Sequence, residues 1–274
     1  MSETTYGLKF FTWGLERTRS SANAIVPLVL ERVRPYSVID VGCGIGVWLK
    51  AFAEGGVNDY IGVDGPWVPR DELLIPEERF VAARLDKPFE LGRRFDLAVA
   101  LEVAEHLAES RAAGFVADLV ELAPCVLWSA AIPYQGGTDH VNERWLDYWA
   151  ELFGAHGYAA VDGIRPLVWS NADVLPFYRQ NVVIFASTDF IAKRPLLARE
   201  RERTDDGRLS VVHPDVLQSV AANPSEHSPR PSARELPLGE LVSALPTVLA
   251  RSLRWRLNRL TRQTSRRRRP SSRP

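Results

Sequence analysis

The sequence predicts an α/β fold: an open, mostly parallel β-sheet with helices on both faces. Two observations predict it. Short apolar runs such as Val38-Ile39-Asp40-Val41, Phe95 to Leu101 and Val126 to Ala130 are nearly continuous rather than alternating. Strands covered on both faces, as in a parallel sheet, have that composition. The first run then ends in Gly42, Gly44 and Gly46 and passes into a helical pattern. Glycines there let a strand turn sharply into a helix with no Cβ in the way of a ligand, as a nucleotide-binding loop requires.

Taken in order, residues 1–19 form an aromatic lead-in (Tyr6, Phe10, Phe11, Trp13) that either packs on the core or covers the active site. From Ser21 to Arg34, Ala24, Ile25, Leu28 and Val33 fit one face of an amphipathic helix. After strand and glycine loop, Tyr60 to Asp64 reads as a second strand, and Pro66, Pro69 and Pro76 make residues 65–78 mostly loop. A third strand is expected around Phe80 to Leu85, a fourth at Phe95 to Leu101 and a helix over residues 105–122. The fifth strand is Val126 to Ala130. The segment Asn142 to His156 carries Trp145, Trp149 and Phe153 at i, i+4 and i+8, which predicts a core-facing helix. Strands near Tyr158 to Ile164 and Asn181 to Ala186 complete the set, and no internal repeat is evident.

The length of 274 residues, 46% hydrophobic and 25% charged, suffices for one well-packed α/β domain with additions. Net charge is zero but unevenly placed: residues 241–274 hold 10 Arg and no acid, so residues 1–240 carry 24 basic against 34 acidic side chains. Cys43 and Cys125 lack metal-type spacing, and no signal peptide or long apolar run is found; a reducing cytoplasm is the expectation.

The glycine spacing separates two ligand classes. A dinucleotide fingerprint is G-x-G-x-x-G, whereas here the pattern is Asp40-x-Gly42-x-Gly44-x-Gly46. By residues alone this is also compatible with a plain glycine-rich turn. Asp64, at the end of the second strand and about 20 residues on, is placed to accept both hydroxyls of a ribose. The pattern resembles motif I of the class I S-adenosylmethionine-dependent methyltransferases. The resemblance implies a Rossmann-like seven-stranded sheet with an antiparallel last strand, covering roughly residues 20–187. It implies a loop of Gly42, Gly44 and Gly46 against the methionine and ribose of the cofactor, with Asp40 ordering loop and amino group and Asp64 on the ribose. An acid on the third strand should reach the adenine amino group; Arg84 stands in its place, and Asp86 is the substitute. Glu102, at the end of the fourth strand, completes the expected cofactor set.

In Glu102-Val103-Ala104-Glu105-His106, a helix would bring Glu102, Glu105 and His106 to one face. Two carboxylates and an imidazole can bind a divalent cation with one further ligand, and Gly136 to Glu143 supplies His140. The E-x-x-E-H pattern with a later His resembles metal-dependent O-methyltransferases of ubiquinone precursors and of small-RNA 3′ ends. That resemblance implies Glu102, Glu105, His106 and His140 as ligands of Mg²⁺ or Mn²⁺. Three readings stay open: a metal site, His106 or His140 as a metal-free general base, or structural roles only. The runs Ile132 to Gly137, His140 to Glu143 and Tyr178 to Asn181 resemble a bacterial subgroup associated with glycan or secondary-metabolite assembly.

The expected domains are residues 1–19, a catalytic domain at 20–193, a flexible linker at 194–240 and a basic amphipathic helix with an Arg-rich tail at 241–274. Leu245, Val248, Leu249, Leu253, Leu257 and Leu260 make one apolar face, with Arg251, Arg254, Arg259 and Arg262 mostly elsewhere. Such a helix suits an anionic membrane surface, the acidic body of the same chain, or a nucleic acid. The expected function is methyl transfer from S-adenosylmethionine to a hydroxyl of a sugar, lipid-linked glycan or small metabolite. A small-RNA 2′-O-methyltransferase and a non-catalytic binding subunit are the rival readings.

Overall fold

A computed structural model describes residues 14–222. A first helix, α1 (Leu15–Val33), leads into β1 (Ser37–Val41), the glycine loop, α2 (Val47–Glu54) and β2 (Asp59–Asp64). Two 3₁₀ turns (Arg70–Glu72 and Glu77–Arg79) cross to β3 (Phe80–Ala82), and β4 (Leu97–Leu101) follows. Two more turns (Ala104–His106, Glu109–Arg111) precede α3 (Ala112–Leu122), β5 (Cys125–Ser129), α4 (Leu146–Gly154) and β6 (Tyr158–Val161). Short helices α5 (Arg165–Val168) and α6 (Pro176–Asn181) lead to β7 (Val183–Ser187), then α7 (Thr188–Ala192), α8 (Pro195–Arg203) and α9 (Pro214–Ala222).

The seven strands lie in the order β3-β2-β1-β4-β5-β7-β6. β1 runs parallel to β2 and β4, as β4 does to β5, while β7 is antiparallel to β5 and β6 on either side of it. This is the Rossmann-like sheet with an antiparallel last strand. β1, β4 and β5 are buried along their whole length, which explains their unbroken apolar composition. Alternate residues feed two cores: Val38, Leu97, Val99 and Leu127 face α1 and α2, while Ile39, Ala98, Val126 and Trp128 face α3 and α4. The second core centres on Trp128, whose ring centroid lies 4.9 Å from Trp149 and 5.3 Å from Phe153. Such aromatic pairs contribute about 0.5–1.5 kcal/mol each beyond buried area, and here they anchor α4 to the sheet.

Several expectations are corrected. α1 begins at Leu15, before the expected Ser21, and places Leu15 and Thr18 beside the cavity described below. The helix expected over residues 105–122 starts only at Ala112, because Leu107 is extended (φ −95°, ψ 141°) between two 3₁₀ turns. In the aromatic stripe, Trp149 and Phe153 are buried, but Trp145 sits at the N-cap, 38% exposed, since α4 begins after it. The first part of the flexible linker read at 194–240 is folded: α8, α9 and the turn Asp206–Arg208 lie within it. Leu197, Leu209 and Val216 are buried there, and polar clamps hold the segment. Arg165 donates to the Leu209 carbonyl (2.8 Å) and Arg179 pairs with Asp215 (2.6 Å). Scattered single apolar residues among charges carry little periodicity, which is why the composition read as linker. The aromatic lead-in through Trp13 and the basic helix at 241–274 lie outside the described residues. Among the described residues, no helix is long and apolar enough to cross a membrane.

Candidate active site

The site sits at the C-terminal ends of β1, β2 and β4, where an open parallel sheet leaves a crevice for a ligand. Gly42, Gly44 and Gly46 all adopt positive φ (88°, 53° and 89°), a region that L side chains rarely enter. At Gly42 a second constraint applies: a Cβ would lie 2.3 Å from Val103 Cγ2. Loop and β2 are tied together by the carboxylate of Asp64, which accepts the N–H of Gly44 (2.7 Å) and of Gly65 (2.5 Å). Burial lifts the Asp64 carboxyl to about 6, against the pull of those two N–H donors. Asp40 is buried on β1 with its Oδ2 unpartnered. Burial, and secondarily the charge of Asp64, raise its pKa well above the usual carboxylate value.

Beside the loop opens a cavity of about 250 Å³, lined by Gly42, Gly44, Asp64, Glu102 and His106 and walled by Trp67, Leu85 and Tyr178. Tyr178 packs edge-on against Trp48, with ring centroids 5.1 Å apart. Trp67 sits close over Gly65, where a Cβ would come within 2.1 Å of its ring. Trp67, Tyr178 and Leu85 were not singled out as site residues from sequence; the Gly65-Pro66-Trp67 succession directly after Asp64 is the one signal that marks Trp67.

Asp86, expected to reach the adenine, is exposed and does not line the cavity. Leu85 is buried and lines the cavity, which turns the residues on either side outward. Asp86 forms a two-point ion pair with Arg84 at the surface (3.0 and 2.7 Å), and that partner holds its carboxyl below the usual range.

Glu102, Glu105 and His106 do not share a helix face. Glu102 stands in the left-handed region (φ 56°), where a non-glycine residue is strained, and the chain then makes only a 3₁₀ turn. What gathers the site is the loop after β5. Val141 and Asn142 donate their N–H groups to the carbonyl of Glu105 (2.8 and 3.0 Å). This brings His140 edge-on to His106, ring centroids 4.8 Å apart. Among the described residues, Glu105, His106 and His140 each offer a ligand atom, all within 4.8 Å of one another. Glu102, expected as a fourth ligand, stands outside that group and instead accepts from Gln135 Nε2 at 3.0 Å.

The electrostatics differ from residue to residue. Glu105 is fully buried and neither carboxyl oxygen has a partner. Burial and the neighbouring charge of Glu102 push its pKa well up. Burial also raises Glu102, opposed by Ser129, His140, Gln135 and Asn181. His106 drops to about 4, first through burial and then through the charge of His140, so it is neutral near pH 7. His140 has its tautomer set by Glu143, a residue not assigned a role from sequence although the His140-x-x-Glu143 spacing was visible. The Glu143 carboxylate accepts the N–H of Tyr134 (2.9 Å) and Gly136 (2.8 Å) and lies 2.9 Å from His140 Nδ1. An ionised carboxylate cannot donate, so in the neutral ring Nδ1 carries the proton and Nε2 the lone pair. Gly137 leaves room for the ring: a Cβ there would meet His140 Nε2 at 2.2 Å.

Residues 15–122 match the family model described as "Methyltransferase domain". No curated protein matches the chain in sequence. Among solved structures, the chain is similar to an O-methyltransferase family protein from Burkholderia thailandensis (14% identity, TM-score 0.49, 65% of this chain and 58% of that one). It therefore spans less than two thirds of that protein's length. It is also similar to the magnesium protoporphyrin IX methyltransferase of Synechocystis PCC 6803 with bound S-adenosylhomocysteine (16% identity, TM-score 0.46, 63% and 84%). A third likeness is to the methyltransferase domain of bacterial CtHen1-C (21% identity, TM-score 0.47, 62% and 98%). Likenesses at this level say nothing of a substrate. What the comparisons and the sheet together give is a match to a methyltransferase-domain model over residues 15–122, on a Rossmann-like fold.

Proposed function

We propose that the chain transfers the methyl group of S-adenosylmethionine to a hydroxyl oxygen of a sugar, lipid-linked glycan or small metabolite. The observation that carries this reading is the convergence of Asp64, hydrogen-bonded to the glycine loop, with His106 and Glu102 around one cavity. Asp64 would accept the ribose hydroxyls, and the orphan Oδ2 of Asp40 would receive a donor from the cofactor's amino-acid end directly or through water. Transfer is an in-line displacement. The acceptor oxygen forms a bond to the methyl carbon as the carbon–sulfur bond breaks, leaving S-adenosylhomocysteine and a proton to remove. His140 Nε2, with its lone pair held open by Glu143, takes that proton, and the Glu143 carboxylate stabilises the imidazolium that results. Holding both reactants in line supplies most of the acceleration.

The residues also fit a divalent cation. An orphaned buried carboxylate next to two imidazoles is a donor set for Mn²⁺ or a similar metal rather than Mg²⁺, which prefers oxygen ligands and water. Glu105, His106 and His140 would hold it, and when bound it would lower the pKa of the acceptor hydroxyl. Contact of residues 241–274 with an anionic membrane surface is part of the same reading, and suits a lipid-linked acceptor.

Calorimetric titration of S-adenosylmethionine, with and without Mn²⁺ and with H140A, tests the proposal. Cofactor binding, with Mn²⁺ binding lost in H140A, supports the cation-assisted form. Cofactor binding without Mn²⁺ binding leaves His140 as the base. A protein that binds no cofactor is not this enzyme.

A further inference from the structure

The amide side chains beside the cavity form a hydrogen-bond chain with a defined direction. The backbone N–H of His213 donates to Gln180 Oε1 (2.8 Å). Gln180 Nε2 donates to Asn181 Oδ1 (2.9 Å), Asn181 Nδ2 to Gln135 Oε1 (2.9 Å), and Gln135 Nε2 to Glu102 Oε2 (3.0 Å). An amide is nearly symmetric in shape, so its orientation needs an independent reference. Two backbone N–H groups, which can only donate, provide it: His213 on Gln180 Oε1, and Ile132 on Gln135 Oε1 at 3.3 Å. Reversing any one amide would set donor against donor or acceptor against acceptor, with Gln180 and Asn181 only 1% and 3% exposed. Gln135 therefore meets Glu102 with an N–H, and Glu102 Oε2 is an acceptor. The other oxygen, Oε1, makes no hydrogen bond although Ser129 and Glu105 stand beside Glu102, and it belongs to a residue that lines the cavity.

We propose that Gln135, Asn181 and Gln180 are positioning residues for Glu102: they grip its carboxylate by Oε2 and leave Oε1 for a hydrogen-bond donor or cationic group of the bound ligand. The segment Leu209–Asp215, outside the residues that match the family model, sets the polarity of the chain through the His213 N–H. That segment is docked independently of the amides. Arg165 holds the Leu209 carbonyl, Arg179 holds Asp215, and the His213 ring meets the Trp169 carbonyl at 2.8 Å. A change within the amide chain thus alters what Glu102 receives without releasing the segment. The identity of the ligand as S-adenosylmethionine rests on the methyltransferase reading; the amide chain does not.

The test is Asn181→Asp, which puts an acceptor against Gln135 Oε1 while keeping the acceptor for Gln180. The Gln135 side-chain NH₂ signals in ¹H–¹⁵N spectra should move, and the Kd for S-adenosylmethionine should rise about tenfold, the size of one lost hydrogen bond to a charged group. In a Glu102→Gln background, whose amide can present either atom, Asn181→Asp should cost no further affinity. A second pair isolates the direction-setting donor: His213→Pro, which lacks the N–H, should weaken binding several-fold more than His213→Ala, which keeps it. Wild-type affinity and unmoved Gln135 signals in Asn181→Asp overturn the proposal. So does an equal loss in the Glu102→Gln background, the mark of general damage. If the wild-type protein binds no S-adenosylmethionine, the methyltransferase reading fails by itself, and the Gln135 signals still decide the amide chain: a shift in Asn181→Asp supports it, no shift overturns it.

Discussion

The Asp64 carboxylate accepts the N–H of Gly44 at 2.7 Å, so one side chain closes the glycine loop and faces the cavity. Its pKa of about 6 is raised from 3.8 by burial. In the proposed reading Asp64 accepts two ribose hydroxyls, and a carboxyl in that role binds poorly once protonated. S-adenosylmethionine affinity should be constant above about pH 7 and fall below about pH 6, approaching tenfold per pH unit. D64N should weaken binding at pH 8 and lack the step near 6. A step of the same size in D64N assigns it to another group.

Stability should respond to the same carboxyl in the opposite sense. With a folded pKa above the unfolded one, the folded state binds more protons between about pH 4 and 6, so Asp64's contribution declines as pH rises through that window. Denaturant midpoints for wild type and D64N at pH 5 and 8 check this. The advantage of D64N over wild type should be larger at pH 8, and an advantage confined to pH 5 would contradict the sign.

Glu105 is fully buried with neither oxygen hydrogen-bonded, and the neighbouring charge of Glu102 adds to the cost of ionising it. E105Q removes a group that is costly to ionise and should leave the cation-free protein as stable as wild type at pH 8, or more so by up to about 2 kcal/mol. The same variant should lose Mn²⁺ binding. A clear loss of stability in E105Q would show that the carboxylate has a favourable partner.

Gly42 combines φ 88° with a Cβ clash against Val103. G42A should cost about 1–3 kcal/mol from both effects. V103A, which removes both γ-methyl groups, should recover the clash component alone, so the double variant regains part of the loss. Full recovery would mean the backbone conformation contributes nothing.

Leu209, 2% exposed, plugs the core in the stretch that composition presents as linker. L209A should lower stability by about 2–4 kcal/mol, a value expected of a core leucine and not of a tether. Urea denaturation measures it, and a loss under about 0.5 kcal/mol would return the segment to linker status.

The sequence by itself determined the sheet and the loop. β1, β4 and β5 declare themselves because strands buried on both faces are mostly apolar, with few polar side chains among them, and the Asp40-to-Gly46 spacing with Asp64 reflects local backbone demands written in adjacent residues. The candidate chemistry was half legible. Glu105, His106 and His140 were readable as residue types, but the helix expected to align Glu102, Glu105 and His106 does not form, and only the stitching of Val141 and Asn142 to the Glu105 carbonyl brings His140 in. Asp86 faces solvent because Leu85 beside it is buried, a choice made by packing that the sequence did not display. Glu143, Gln135, Asn181 and the docked segment beyond Arg203 were decided by tertiary structure alone. Glu143 meets partners within nine residues, but Gln135 reaches Glu102 and Asn181, and the docked segment reaches Arg165, Arg179 and Gln180, tens of residues away, and such complementarity leaves no periodicity for a single sequence to display.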